Sequence, residues 1–455
     1  MNSSIIQKSQ LEGAQRMDAE YYQPEFIEMA NLINLNRNVE LRDLTVWIKK
    51  GIFDLSPDNY KDDGIPFIRT LGINDPLIDF SGIVFLDRGT HQKNKTTALF
   101  PGDLVFTKIG ANIGKGAILP PTFNEYNFSQ NVAGAKVRQD IIKSGYLLAY
   151  LLSKFGGGQI DRAQMISGQS KLELEDLRKL KIVITRDEVQ QEINSLVIQA
   201  QDLKSQSLRR YQQAEDLLLK ELGLKDFLIP DDLSWVINFL ETQGVNRIDA
   251  EYFQPKYDFL ISHIKKISKL LKNIASRDDE VIKIKPEVEY KYIEISNINV
   301  ANSEITTNLL VGKYLPVNAK MKISGGELLI SKVRPTRGAI AIVPGSWSEN
   351  YVASGAFSVF NIDSPMKECL QVILRSLIGK LQLEKPTTGT SYPIVTDEDI
   401  ENVLIPILPK EIQQKIAELV KKSHEARKKS KELLEEAKRK IEEMIEKGGE
   451  SNGSN

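Results

Sequence analysis

The stretch closest to a reactive signature is Gly110-Ala111-Asn112-Ile113-Gly114-Lys115-Gly116, where glycines precede a lysine as in a phosphate-cradling loop. The match fails on spacing and on chemistry. A nucleotide loop needs four residues between its glycines and a Ser or Thr after the lysine to hold Mg²⁺. Here three residues intervene, and Gly116 stands in the hydroxyl position. One cysteine, Cys369, excludes an internal disulfide and a thiolate metal cluster, and His91, His263 and His424 are too scattered to suggest a zinc site. Nucleophile elbows, His-Glu-x-x-His pairs and dinucleotide fingerprints are missing. So are the amino-methyltransferase tetrapeptide and a convincing nuclease cluster. Gly156-Gly157-Gly158 follows a helical stretch and reads as a helix stop or flexible link. The chemistry left to this chain is binding.

The elements that would position a binding surface come in two copies. Arg16-x-Asp18-Ala19-Glu20-Tyr21-x-Gln23-Pro24 recurs as Arg247-x-Asp249-Ala250-Glu251-Tyr252-x-Gln254-Pro255, 231 residues later. Further blocks follow in the same order: Pro66-Phe-Ile-Arg with Lys291-Tyr-Ile-Glu, Asp103-Leu-Val-Phe-Thr-Lys with Glu327-Leu-Leu-Ile-Ser-Lys, and the turns at Gly168-Gln-Ser and Gly389-Thr-Ser. Glu188-Val-Gln-Gln and Glu411-Ile-Gln-Gln close the series. Ordered internal repetition of this kind makes the chain a tandem duplication. In each half, strand-rich sequence broken by Gly, Pro and Asn is followed by a helix of about 35 residues free of Pro and Gly.

Those two helices carry one apolar stripe. Val189, Ile193, Leu196, Ala200, Leu203, Ser207, Arg210, Ala214 and Leu217 alternate at spacings of four and three. Ile412, Ile416, Leu419, Ser423, Ala426, Ser430, Leu433 and Ala437 do the same. A heptad stripe lets helices wind together, and chain direction makes the pair antiparallel. The expected rod is about 50 Å long, enough to hold two binding modules well apart. The expected fold is α+β, with two tandem domains of strands and short helices separated by two long helices in an antiparallel coiled coil, related by a pseudo-twofold repeat. The boundaries read from the sequence are 1–186 and 224–409 for the domains, 187–223 and 410–447 for the helices, and 448–455 for a disordered tail. Tyr21, Tyr22, Tyr252 and Phe253 recur with the motif; packing is their favoured role, with contact to another subunit second.

The whole chain has a net charge of −1, but residues 42–154 carry about +3 and residues 261–386 about +6. A composition of 41% hydrophobic and 27% charged residues, without a long apolar run or a secretory leader, points to a cytoplasmic protein.

Taken in order, these motifs resemble the specificity (S) subunit of type I restriction-modification systems, over nearly the whole length. The resemblance implies two target-recognition domains, each reading one half of a split sequence in double-stranded DNA. It implies two partner methyltransferase (M) subunits that use S-adenosylmethionine to methylate adenine, and restriction (R) subunits driven by ATP with Mg²⁺. No catalytic residue, cofactor or metal is then expected in this chain. The alternatives are a duplicated scaffold that binds proteins, or an S-like chain of a related modification or phage-defence system.

For a DNA reader, lysine and arginine supply affinity through phosphates, and base-edge contacts supply specificity. The loop after the Asp103 strand offers Lys108, Asn112 and Lys115, and its counterpart offers Lys332, Arg334 and Arg337. Asn112 suits adenine and Arg334 guanine, while the lysines suit either guanine or phosphate. The polar turns add Gln169 and Ser170, and Thr390, Ser391 and Tyr392. For each, a solvated loop position is the competing reading. Glu294 opposite Arg69, and Arg334-Pro335 opposite Gly110-Ala111, fit domains that read different bases.

Overall fold

The structure is a computed structural model that describes residues 5–8, 11, 17 and 19–452, apart from 75, 79, 81, 111–112, 165–170, 226, 228–233, 301, 364 and 390. It divides into two compact units, residues 1–206 with 426–455, and residues 207–425. Each unit takes part of both long helices, which run over Asp187–Glu221 and Lys410–Asn452.

Short runs rich in Val, Ile, Leu and aromatic residues build two four-stranded sheets in each unit. In the first unit the strands Thr45–Lys50, Val132–Val137, Leu104–Thr107 and Gly116–Ile118 lie side by side, all antiparallel. In the second unit Ser276–Asp278, Phe357–Asn361, Leu328–Ser331 and Ile340–Ile342 repeat that order and sense. The other sheets share a parallel pair in matching register, Phe67 opposite Asn127 and Tyr292 opposite Val352. They differ at an edge: the second unit adds Ala319–Ile323 beside the strand that carries Val352, whereas the first adds Tyr60–Lys61 on the far side. The duplication read from the sequence is thus a duplication of strand order and register.

A helix pair covers each antiparallel sheet, Ser144–Leu152 with Lys154–Gln164 and Met366–Arg375 with Leu377–Glu384. Their junctions are built alike. Ser153 and Ser376 are both buried; their hydroxyls donate to Tyr150 O at 2.6 Å and Ile373 O at 2.7 Å. Gly156 and Gly379 follow, and a Cβ at either would stand 2.2 Å from a carbonyl oxygen of the preceding helix, Tyr150 O or Leu374 O. Gly156-Gly157-Gly158 therefore lies inside a helix, not after one as the sequence suggested. Close approach at Gly156 and Gly158 outweighs the low helix propensity of glycine.

The long helices pair in antiparallel fashion within each unit. In the first, Ser430 donates to Ala200 O at 2.6 Å and Lys440 meets Glu192 at 2.7 Å. In the second, the Ser207 and Ser423 hydroxyls are 2.9 Å apart, and Arg210 donates to Lys422 O at 3.1 Å. Ile193, Ala200, Ser207, Ala214, Ile416, Ser423, Ala426, Ser430 and Ala437 are buried, so the small residues of the stripe sit where the backbones come close. The second helix continues to Asn452, past residue 448 where the sequence suggested a disordered tail. Asn36 donates to Ile445 O at 3.0 Å, and Gly448 passes so near Asn36 that a Cβ would meet its Oδ1 at 2.3 Å.

The repeated aromatic motif is packed. Tyr22 is buried and meets Tyr21 edge-on at 5.0 Å, and Tyr252 meets Phe253 in the same way at 5.0 Å. An arginine lies over each first ring, Arg162 at 3.8 Å from Tyr21 and Arg247 at 4.5 Å from Tyr252. Arg16 and Asp18 lie outside the described residues. No helix among the described residues is long and apolar enough to cross a membrane.

Candidate nucleic-acid interface

In both units the antiparallel sheet holds a hairpin loop at the end of its third strand. A buried carboxylate secures the start of that strand: Asp103 accepts from Phe100 N at 2.8 Å and Val137 N at 3.0 Å, and Glu327 accepts from Ser324 N at 2.6 Å and Gly325 N at 2.9 Å. Burial pushes the Asp103 carboxyl up, against those hydrogen bonds. Gly114 N donates to Thr107 O at 3.0 Å and Thr107 N to Lys115 O at 2.9 Å, closing a hairpin that leads into the Gly116–Ile118 strand. A phosphate loop leads into a helix, so the resemblance to one is of composition only.

In both units the hairpin meets the residues that follow the polar turn. Leu172 N donates to Lys108 O at 2.9 Å, with Ile109 bridged to Lys171. In the second unit Val395 N donates to Lys332 O at 3.0 Å, with Val333 bridged to Ile394. The sequence placed loop and turn as separate candidates; in both units the fold joins the hairpin to the residues that follow the turn. Asn112, Gln169, Ser170 and Thr390 lie outside the described residues, so only part of each surface is described.

The side chains on the two surfaces differ. Lys108 is largely buried at 7% exposure. Burial first, and then the positive charges of Lys171 and Lys50, lower its pKa, with Glu173 opposing. An ammonium short of countercharge is favourably placed for an anion such as a backbone phosphate. Lys50 also lies 5.4 Å over the ring of Phe53, which is 69% exposed. Lys115 is half-buried on the far arm of the hairpin. Neither Lys50 nor Lys171 was singled out in the sequence; the only signal for Lys171 was its place directly after Gln169-Ser170.

In the second unit Lys332 is occupied internally. Its ammonium lies 3.2 Å from Asp397, which also accepts from Ser358 and lies 3.3 Å from Arg277. Burial works to raise the Asp397 carboxyl, but Ser358, Lys332 and Arg277 together hold it below the usual carboxylate range. Arg334 is presented outward. Its backbone is left-handed, φ 49° and ψ 52°, and its N–H donates to Pro393 O at 2.7 Å. Its guanidinium donates to Ser391 O at 2.9 Å and lies 4.3 Å over the ring of Tyr392, which is 66% exposed. Arg337, on the next short turn, is exposed. Of the two sequence departures, Arg69 and Glu294 hold the same place before a matching 3-10 turn; Glu294 N donates to Asn297 Oδ1 at 2.9 Å, whereas the Arg69 guanidinium makes no cap bond and donates to Gly82 O at 3.1 Å.

Among solved structures the chain is similar to the S subunit of a type I restriction-modification system from M. genitalium, 12% identical over 90% of this chain and 95% of that one, with a TM-score of 0.42. It is also similar to the HsdS subunit of Thermoanaerobacter tengcongensis, 14% identical over 90% and 96% with a TM-score of 0.30. The type IIG restriction endonuclease BpuSI matches over 39% of this chain and 28% of its own, at 12% identity and a TM-score of 0.30. No curated protein matches. The family model described as the type I restriction modification DNA specificity domain matches twice, at residues 36–206 and 272–439. These two matches span well over half of the chain and fall one on each copy of the repeat, and the chain belongs to that family of type I restriction-modification specificity subunits.

Proposed function

We propose that this specificity subunit reads a bipartite double-stranded DNA target, one half with each hairpin-and-turn surface. One observation carries the reading: the hairpin is joined to the residues that follow the turn by the same backbone contacts in both units, yet the first hairpin holds a buried Lys108 near Lys171 and Lys50 and the second an arginine over a tyrosine. A constant scaffold with different contact residues is what two unlike half-sites require. Lys108, Asn112, Lys115, Gln169 and Ser170 serve the first half. Arg334, Arg337, Thr390, Ser391 and Tyr392 serve the second, with Lys332 as a support behind them. The chain performs no catalysis itself. It docks two adenine-methyltransferase subunits and, through the full complex, the restriction subunits, which bring S-adenosylmethionine, ATP and Mg²⁺.

Replacing residues 42–160 with the corresponding segment of another family member, then mapping methylated adenines, tests this. The expected result is a change in one half of the target with the other half retained. A change in both halves, or in neither, overturns the assignment.

A further inference from the structure

A groove of about 1100 Å³ opens in the first unit between the Pro24–Leu35 helix, the Lys154–Gln164 helix and the last turns of the Lys410–Asn452 helix. Its walls carry five carboxylates, Glu25, Glu28, Asp161, Glu442 and Glu446, against two lysines. Both lysines are already paired, Lys154 with Glu446 and Lys438 with Glu435. Met29, Leu32 and Phe155 contribute its apolar lining. Such a surface repels phosphate, so it is no part of a DNA path.

Gly157 keeps one wall of the opening free of a side chain. It lies within a helix, where glycine costs roughly 1 kcal/mol relative to alanine. Its neighbours Gly156 and Gly158 are explained by contacts: a Cβ would meet Tyr150 O at 2.2 Å and Met29 Sδ at 2.6 Å. A Cβ at Gly157 would meet nothing within 4 Å. The shared fold does not demand the gap, because Lys380 and Leu381 occupy the corresponding places after Gly379 in the second unit. Packing gives no reason for this glycine, and lining the groove does.

We infer that this groove docks a cationic amphipathic helix of another polypeptide. The size fits, since two turns of helix about 10 Å across and 11 Å long fill roughly 900 Å³. An apolar stripe would meet the Met29, Leu32 and Phe155 lining while flanking lysines or arginines answer the acidic walls. The inference goes beyond the DNA reading and does not depend on it.

The test uses the full chain and a fluorescent 14-residue Leu/Lys amphipathic helix, with a Leu/Glu peptide of the same pattern as control. Binding of the Leu/Lys peptide, weakened at least tenfold by Gly157→Leu and separately by Glu25→Lys with Glu28→Lys, supports the inference. Gly157→Leu improves helix propensity and fills open space, so the fold is retained; circular dichroism verifies it. Equal binding of both peptides, unchanged binding by the variants, or no binding overturns the inference. A wild-type dimer in sedimentation that Gly157→Leu converts to monomer also overturns it, assigning the groove to a second copy of this chain.

Discussion

Replacing Arg334 with asparagine separates a reading residue from a structural clamp. A left-handed backbone costs an L-residue about 1–2 kcal/mol, and asparagine tolerates it better than most. The N–H to Pro393 O bond at 2.7 Å survives the change. What is lost is an exposed cation–π contact, about 0.5–1 kcal/mol, and an exposed hydrogen bond to Ser391 O of about 0.5–1.5 kcal/mol. Gain and loss nearly cancel, so Arg334→Asn should lie within about 1 kcal/mol of wild type in urea denaturation. The DNA affinity of the assembled modification complex should fall by about 1–3 kcal/mol, roughly 5- to 150-fold, if the guanidinium reads a base edge. Fluorescence anisotropy at fixed salt measures this. Arg334→Lys then distinguishes contacts: a phosphate contact keeps its salt dependence, whereas a base contact is lost together with sequence preference. A large loss of stability with unchanged DNA affinity refutes the reasoning and makes Arg334 a clamp for the turn.

Other expectations follow from particular contacts. Ser423→Val removes the hydroxyl that donates to Ser207 O at 2.8 Å and meets Ser207 Oγ, leaving buried polar groups unpaired; denaturation should show a loss of about 1–3 kcal/mol. Gly156→Ala and Gly379→Ala should each destabilise by about 1–3 kcal/mol, because a carbonyl oxygen stands where the methyl must go. Burial pushes the Cys369 thiol up to about 12, so iodoacetamide at pH 8 should modify it only when the chain unfolds. The sign follows: this thiol favours the folded state below its unfolded pKa, and that contribution is lost as pH rises toward 12. Inserting seven residues into both long helices keeps the heptad phase and adds about 10 Å, so a helix pair that sets the spacer should widen the methylated target by roughly three base pairs. An unchanged spacer rejects that role.

The duplication and the helix stripe were legible because they repeat side chains: seven of nine residues recur around Asp18 and Asp249, and small residues fall on the same stripe in both helices. The joining of hairpin and turn was not, because it runs through backbone contacts between residues about sixty apart, such as Lys108 with Leu172. Lys332 read as a free cation for the same reason; its partner Asp397 is 65 residues away and carries no signature. Gly156-Gly157-Gly158 read as a breaker because propensity is local, whereas the need for a missing Cβ is set by Tyr150 and Met29.

The division at residues 206 and 426 makes the second unit an insertion into the first, entering and leaving along adjacent helices. Ser207, the first residue of the second unit, touches Ser423, two residues before its last, through a small, uncharged contact within that unit. A genetic crossover at each serine would exchange nearly the whole of this unit as a cassette while leaving the register of the helix pair intact. A new pairing of units then needs two joins at neighbouring points rather than the redesign of a core.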